Sequence, residues 1–259
     1  MIDKSYIVCS TGRSGSNLLC KTLANLNHCG RPAEYFHPDR LEKYLTKDDA
    51  KSLRDYLSGV LIQGTSSNGI FGIKMHWEHF QMFLNLARKY LDFQGKTDLE
   101  ILSLVFPNPR FIYIWRRDLV RQAVSTEIAY QTGNWVKQNK SVEFNSRKKL
   151  VFKPLNIYRY KQGLKVRNQR WKKFFDKNSV EVYEVVYEDF IELFEKTILE
   201  IVDFLDIQPV SSQNEIKISL QRQSNEINER WCQYYNYIPE NMLRTYGKIR
   251  ATIKSFIKA

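Results

Sequence analysis

Short apolar runs alternate with longer amphipathic ones along this chain. Tyr6-Ile7-Val8-Cys9-Ser10, Gly69 to Met75, Arg110 to Trp115 and Val180 to Val186 are strand-length and rich in β-branched and aromatic residues. Between them the apolar positions fall at helical spacing. Leu18, Leu19, Leu23 and Leu26 follow the first strand, and Leu53, Tyr56, Leu57 and Val60 mark a face within 40–62. Further helices are expected over 78–90, 118–131 and 157–176, and the C-terminal part reads as mainly helical. Thr97-Asp98-Leu99-Glu100 has capping-box spacing and predicts a short helix. Strands separated by helices predict an α/β fold: a mainly parallel sheet, helices on both faces and a helical C-terminal part. No internal repeat or Gly/Ser linker interrupts 1–259, so a single domain is expected.

Composition sharpens this picture in two places. The four cysteines, Cys9, Cys20, Cys29 and Cys232, are too few and too scattered for a disulfide framework, and no Cys-x-x-Cys pair is present. Cys9 and Cys20 lie among apolar residues and read as small core residues. The N-terminal residues carry no signal-type apolar stretch, and no run approaches a membrane span, so a cytoplasmic protein is expected. The formal charge of +12 suggests an anionic partner. That excess is local: Lys137 to Lys177 holds fourteen Lys and Arg against Glu143 and Asp176, and the remainder is neutral. A solvated helix face is the plain reading of such a run. The sharper one is an approach surface for an anionic acceptor or membrane, in which Arg147, Lys148 and Lys149 would act.

Candidate chemistry begins at the first turn. Gly12-Arg13-Ser14-Gly15-Ser16-Asn17 lies between a strand and its helix, where free backbone N–H groups and the helix dipole suit a phosphate or sulfate. Gly12 and Gly15 allow close approach, the polar side chains can donate, and Arg13 adds a charge-assisted donor. A turn that merely caps a helix is the competing reading. The loop is not a Walker A motif. Only Arg13 and Ser14 separate its glycines, and the Lys-Ser/Thr pair expected of a Mg²⁺-dependent nucleotide kinase is missing.

A second anion site is expected after the third strand. Arg116 and Arg117 follow it at the ligand edge of an open sheet. Ser125 lies eight residues past Arg117, about two helical turns on, where it could help hold an anion. Surface arginines paired with Asp118 are the alternative.

Taken together these segments resemble the bacterial trehalose-2-sulfotransferase-like sulfotransferases. The likeness rests on Cys9 to Cys20, on Gly30-Arg31-Pro32-Ala33-Glu34-Tyr35-Phe36 and on Gly72-Ile73-Lys74-Met75-His76-Trp77. It continues through Arg116-Arg117-Asp118 with Gln122 to Ser125, Gln131 to Trp135, Tyr187-Glu188-Asp189 and Arg222-Gln223 with Asn228 and Trp231. It implies a P-loop-like fold and sulfuryl transfer from 3′-phosphoadenosine-5′-phosphosulfate (PAPS) to a hydroxyl of a carbohydrate or glycoconjugate, without a metal. It implies that Gly12 to Asn17 hold the 5′-phosphosulfate, and Arg117 with Ser125 the 3′-phosphate, Arg116 being a further candidate. Arg222 and Gln223 would close over the nucleotide.

Glu34 would be the base, with His37 and His76 as runners-up, and Arg13 would stabilise the departing phosphate. Arg31, Tyr35, Phe36, Lys74, His76, Trp77, Gln122 and Trp135 are expected on the acceptor side. The likeness also favours a homodimer. Two positions depart from the family pattern: Gly12 stands where proline is usual and Asn17 where threonine is usual. Tyr187-Glu188-Asp189 reads as a structural turn, and Trp231 as a core residue.

No Asp/Glu/His group shows metal-ligand spacing, so no metal is expected. The competing class is a basic nucleotide- or nucleic-acid-binding protein without sulfotransfer. The basic stretch interleaves Phe144, Phe152, Tyr158, Tyr160 and Trp171, but that reading leaves the other motifs unexplained, and no nucleic-acid partner is expected.

Overall fold

The computed structural model describes residues 2–44, 50–135, 150–208 and 226–258. In chain order these are β1 (Lys4–Ser10), α1 (Ser16–Asn25), α2 (Pro38–Tyr44), α3 (Ala50–Gly64), β2 (Ile70–His76), α4 (Trp77–Tyr90), α5 (Asp98–Val105) and β3 (Pro109–Trp115). Then follow α6 (Leu119–Thr132), α7 (Pro154–Asn178), β4 (Val182–Val186), α8 (Tyr187–Glu192), α9 (Phe194–Phe204), α10 (Glu226–Asn236) and α11 (Glu240–Lys258). The chain divides into two compact units, one of 1–117 with 167–220 and one of 118–166 with 221–259.

The first unit is the α/β layer expected from the sequence. Its sheet has the order β2-β1-β3-β4, with every pairing parallel. Two-residue periodicity divides the strand side chains between the faces. Ile7, Cys9, Phe71, Ile73, Met75, Phe111 and Tyr113 join a core completed by α3, α4, α5 and Trp171, Phe174 and Phe175 of α7. Tyr6, Val8, Ile112, Ile114 and Val185 join the opposite core with α1, α8 and α9. A strand buried on both faces has no polar alternation, which is why β1 to β3 read as apolar runs.

Register places the functional edge. Ser10 pairs with His76 and with Ile114, and Trp115 with Val186, so all four strands end nearly level. The chain leaves β1 for β2 on one side, then returns to β3 on the other. That reversal is a topological switch point, where open α/β sheets hold ligands beyond the strand ends.

Local signals agree. Thr97 caps α5, accepting from the Glu100 N–H at 3.3 Å while the Glu100 carboxylate accepts from the Thr97 N–H at 2.7 Å. All four cysteines are free and buried. No described helix is long and apolar enough to cross a membrane.

The second unit is helical, with Ala123, Val124, Ile157, Leu164, Trp231, Cys232, Tyr235 and Leu243 at its core. Trp231 is thus a core residue, edge-on to Phe152. The Gln131 side chain acts as a backbone mimic. Its Nε2 donates to the Val151 carbonyl at 2.7 Å, and its Oε1 accepts from the Val151 N–H at 2.9 Å. Gly133 ends α6 in the left-handed region at φ 73°, with its N–H bonded to the Ala129 carbonyl. The Gln131 to Trp135 motif therefore contains structural parts.

Candidate functional site

The turn expected to cradle an anion lies between β1 and α1. Gly15, at φ 92°, is the N-cap of α1, and no side chain caps that helix, so its first N–H groups open toward the turn. Arg13 is left-handed as well, at φ 63°. The Ser14 hydroxyl is buried and has no hydrogen-bond partner among the described residues. A buried hydroxyl is usually satisfied, so an orphan at a helix start fits an anion there.

Positive charge collects around it. Burial, then the neighbouring charge of Arg116, pulls the Arg13 guanidinium below its ordinary value. Two arginines that disfavour each other's charge suit an anion between them. Arg116 is itself buried, lies 4.3 Å over the Tyr187 ring and sits 3.5 Å from the Glu188 carboxylate. The Tyr187 ring in turn packs on Gly15, where a Cβ would collide with it.

Tyr187-Glu188-Asp189 is therefore a support for the cradle as well as the start of α8. The motif drew attention to these residues, but their contact with the first turn was not legible, because it joins distant segments. Arg117 is placed differently from the expectation. It is exposed, and its Nη2 donates to both Asp189 carboxylate oxygens, at 2.8 and 3.1 Å. Of the two arginines, Arg116 is the one turned toward Arg13.

Glu34 lies where the loop after α1 returns to the sheet edge. The Lys74 N–H donates to the Ala33 carbonyl at 3.0 Å and ties the loop to β2. The Glu34 Oε1 is 2.5 Å from Lys74 Nζ and 3.3 Å from His76 Nε2. Lys74 Nζ also donates to the Asn17 Oδ1, and His76 Nδ1 lies 2.9 Å from the Ser10 hydroxyl. Burial pushes the Glu34 carboxyl up. The His76 hydrogen bond and the charges of His76 and Lys74 outweigh it, and hold the group well below the usual carboxylate range. Lys74 is buried and bridges the cradle to Glu34, rather than serving one side alone.

The other expected acceptor residues divide between core and surface. Tyr35 and Phe36 are core residues, packed among Tyr56, Phe83 and their neighbours. Apolar rings in a loop beside a sheet gain more from burial than from exposure to a ligand. They anchor the loop that presents Glu34, with the Tyr35 hydroxyl donating to the Arg31 carbonyl at 2.7 Å. Trp77 packs edge-on against Trp171 at 5.0 Å. Arg31 is exposed. In the second unit Gln122 is buried on α6, Ser125 lies on the same helix, and Trp135 is exposed against Tyr130. Arg222 and Gln223 lie outside the described residues.

One grouping was missed from the sequence. Three of the four histidines, His37, His76 and His79, gather beside Glu34, and one ligating atom each of Glu34, His37 and His79 lies within 4.8 Å of the others. The signal available was Glu34-x-x-His37 and His76-x-x-His79, two pairs at the three-residue spacing that places side chains together in a helical turn.

The parallel sheet sets this turn, and a carboxylate linked to it by a lysine, at a switch point beyond the strand ends, where open α/β enzymes hold their ligands. The comparisons give the class its name: residues 5–237 match the Stf0 sulphotransferase family model, and the chain belongs to that family. A trehalose 2-sulfotransferase of Mycolicibacterium smegmatis is 25% identical, covering 89% of this chain and 94% of that protein. One from Mycobacterium tuberculosis is 23% identical, over 90% of this chain and 94% of its own. The solved sulfotransferase domain of the curacin biosynthetic pathway overlaps loosely, at 14% identity and a TM-score of 0.39, over 92% of this chain and 99% of that one.

Proposed function

We propose that this sulfotransferase moves a sulfuryl group from PAPS to a carbohydrate hydroxyl, with Glu34 as general base. The observation that carries this reading is Lys74, shared between Asn17 at the cradle and Glu34 at the loop. It joins the place for an anionic donor to the place for a proton acceptor.

The residues present fit such a donor. The orphan Ser14 hydroxyl, the open start of α1 and the neighbouring guanidinium charges of Arg13 and Arg116 suit an anion. PAPS supplies the sulfuryl group when bound. Arg13, with Arg116 behind it, stabilises the negative charge that gathers on the phosphate side as the sulfur–oxygen bond breaks. Glu34 accepts the hydroxyl proton as the acceptor oxygen bonds to sulfur.

A carboxylate held low is ionised and ready, but weakly basic. Lys74 is one of the two groups that hold it low, after His76, so an ammonium that turns toward an anion in the cradle returns part of the basicity of Glu34. His76, held by Ser10, keeps the carboxylate oriented. The acceptor class comes from the trehalose 2-sulfotransferase relatives, and the exposed Arg31, on the loop that carries Glu34, is offered as a further contact.

Glu34→Gln tests the reading. Transfer should fall by about 10²–10⁴-fold, the usual contribution of a general base, while donor affinity in equilibrium binding is kept. Full turnover by the variant would remove Glu34 from the role.

A further inference from the structure

The geometry points to a binding site for a divalent cation of the zinc class, formed by Glu34, His37 and His79, whose occupation shuts off sulfuryl transfer. The inhibitory half of this inference rests on Glu34 being the base. The binding half stands on the cluster alone.

Two imidazoles and one carboxylate form a ligand set common to three-ligand zinc sites with an open position. Their ligating atoms lie within 4.8 Å of one another. Zinc–nitrogen bonds of about 2.0–2.1 Å place tetrahedral ligands ~3.4 Å apart, so closure takes a shift of at most about 1.4 Å between any two of them.

The elements allow that shift on one side. Glu34 and His37 belong to a turn closed by the His37 N–H on the Glu34 carbonyl at 3.3 Å, and both side chains are partly exposed. His79 is the fixed member. It lies in the first turn of α4, is 8% exposed, and its buried Nδ1 has no hydrogen-bond partner among the described residues. A ring nitrogen buried without a partner beside a carboxylate and a second imidazole is the kind of orphan a metal ion satisfies. The His37 ring is held from behind by Asp39, whose backbone N–H donates to the His37 Nδ1 at 3.3 Å.

Lys74 works against the ion. Its ammonium already neutralises Glu34 at 2.5 Å, so binding should be weaker than at a closed structural zinc site, and reversible. His76 lies 5.3 Å from His79, ring to ring, and 3.3 Å from Glu34, close enough to exchange in as a substitute ligand. An ion held by Glu34 takes the lone pairs the base needs. It also places positive charge where the acceptor proton must arrive, so transfer stops while the cradle remains open to nucleotide.

The experiment uses the full chain, free of any histidine tag and without donor, titrated with Co²⁺ as the probe. One equivalent should bind, with the visible d–d bands of a low-coordinate nitrogen–oxygen site. His37→Ala and His79→Gln should each weaken binding at least as much as the about 10–100-fold lost with outer-sphere partners, while His28→Ala keeps it. His37 is at the surface, so its variant remains informative if His79→Gln folds poorly. Absence of the bands, or equal uptake by His37→Ala and the parent, would overturn the site. In parallel, Zn²⁺ should inhibit transfer by the parent at least tenfold more strongly than transfer by His37→Ala. Co²⁺ binding as expected with transfer undiminished by Zn²⁺ would leave the site standing and overturn Glu34 as the base.

Discussion

Lys74 is a cation with almost no contact with water, and two acceptors, Asn17 and Glu34, account for it. Breaking a buried pair from one side leaves the other charge uncompensated, a loss of ~3–5 kcal/mol when both partners are fully buried. Glu34 is a quarter exposed, so Lys74→Met should cost about 3 kcal/mol in urea unfolding, at the lower end of that range. The two glycines of the cradle should respond in opposite ways. Gly12 has no neighbour within 4 Å of a Cβ and no positive φ, so Gly12→Ala should stabilise by about 0.4–1 kcal/mol through the unfolded chain. Gly15 is left-handed with Tyr187 against it, so Gly15→Ala should destabilise by about 1–3 kcal/mol. Thermal unfolding of the pair measures the contrast.

At the scale of elements, signals carried by neighbouring residues were legible and those carried by side-chain direction were not. The strand, turn and helix from Tyr6 to Leu26 can be read directly, because buried strands and capped turns depend on adjacent positions. Thr97 to Glu100 is equally local, and Thr97→Ala should cost about 1 kcal/mol in unfolding without changing transfer. Arg116 and Arg117 are adjacent in sequence, yet one turns inward over Tyr187 and the other outward to Asp189. Which of them faces the cradle is decided by α8, some seventy residues on, and nothing near the pair announces it. Tyr35 and Phe36 show the converse. Their motif drew attention to the loop, but the rings serve its anchoring while Glu34 and His37 face the histidine cluster.

For the whole molecule, the charge excess is less free than its sequence count suggests. Within the basic stretch Lys161 pairs with Glu240, Arg167 with Glu78, and Lys172 lies 3.6 Å from Glu184. Acids drawn from distant segments thus meet part of the run. Its aromatic residues are also occupied: Trp171 is fully buried with its indole N–H on the Ser10 carbonyl, and Phe152, Tyr158 and Tyr160 pack against the helical core. Arg147, Lys148, Lys149 and Phe144 lie outside the described residues. The metal-ligating cluster was illegible for a related reason. Its two halves are some forty residues apart, and they meet because the loop after α1 is tied to β2, with the Lys74 N–H on the Ala33 carbonyl.

The Tyr187 ring on Gly15 carries a consequence for the order of events during synthesis. The strand, turn and helix around Gly15 leave the ribosome well before the residue that closes on Gly15 and supports Arg116, which comes only at position 187. Chain growth at about 5–20 residues per second separates the two by roughly ten seconds or more. A nascent chain therefore carries this turn without its Tyr187 support for most of that interval, and the Gly15 contact is completed only when α8 emerges.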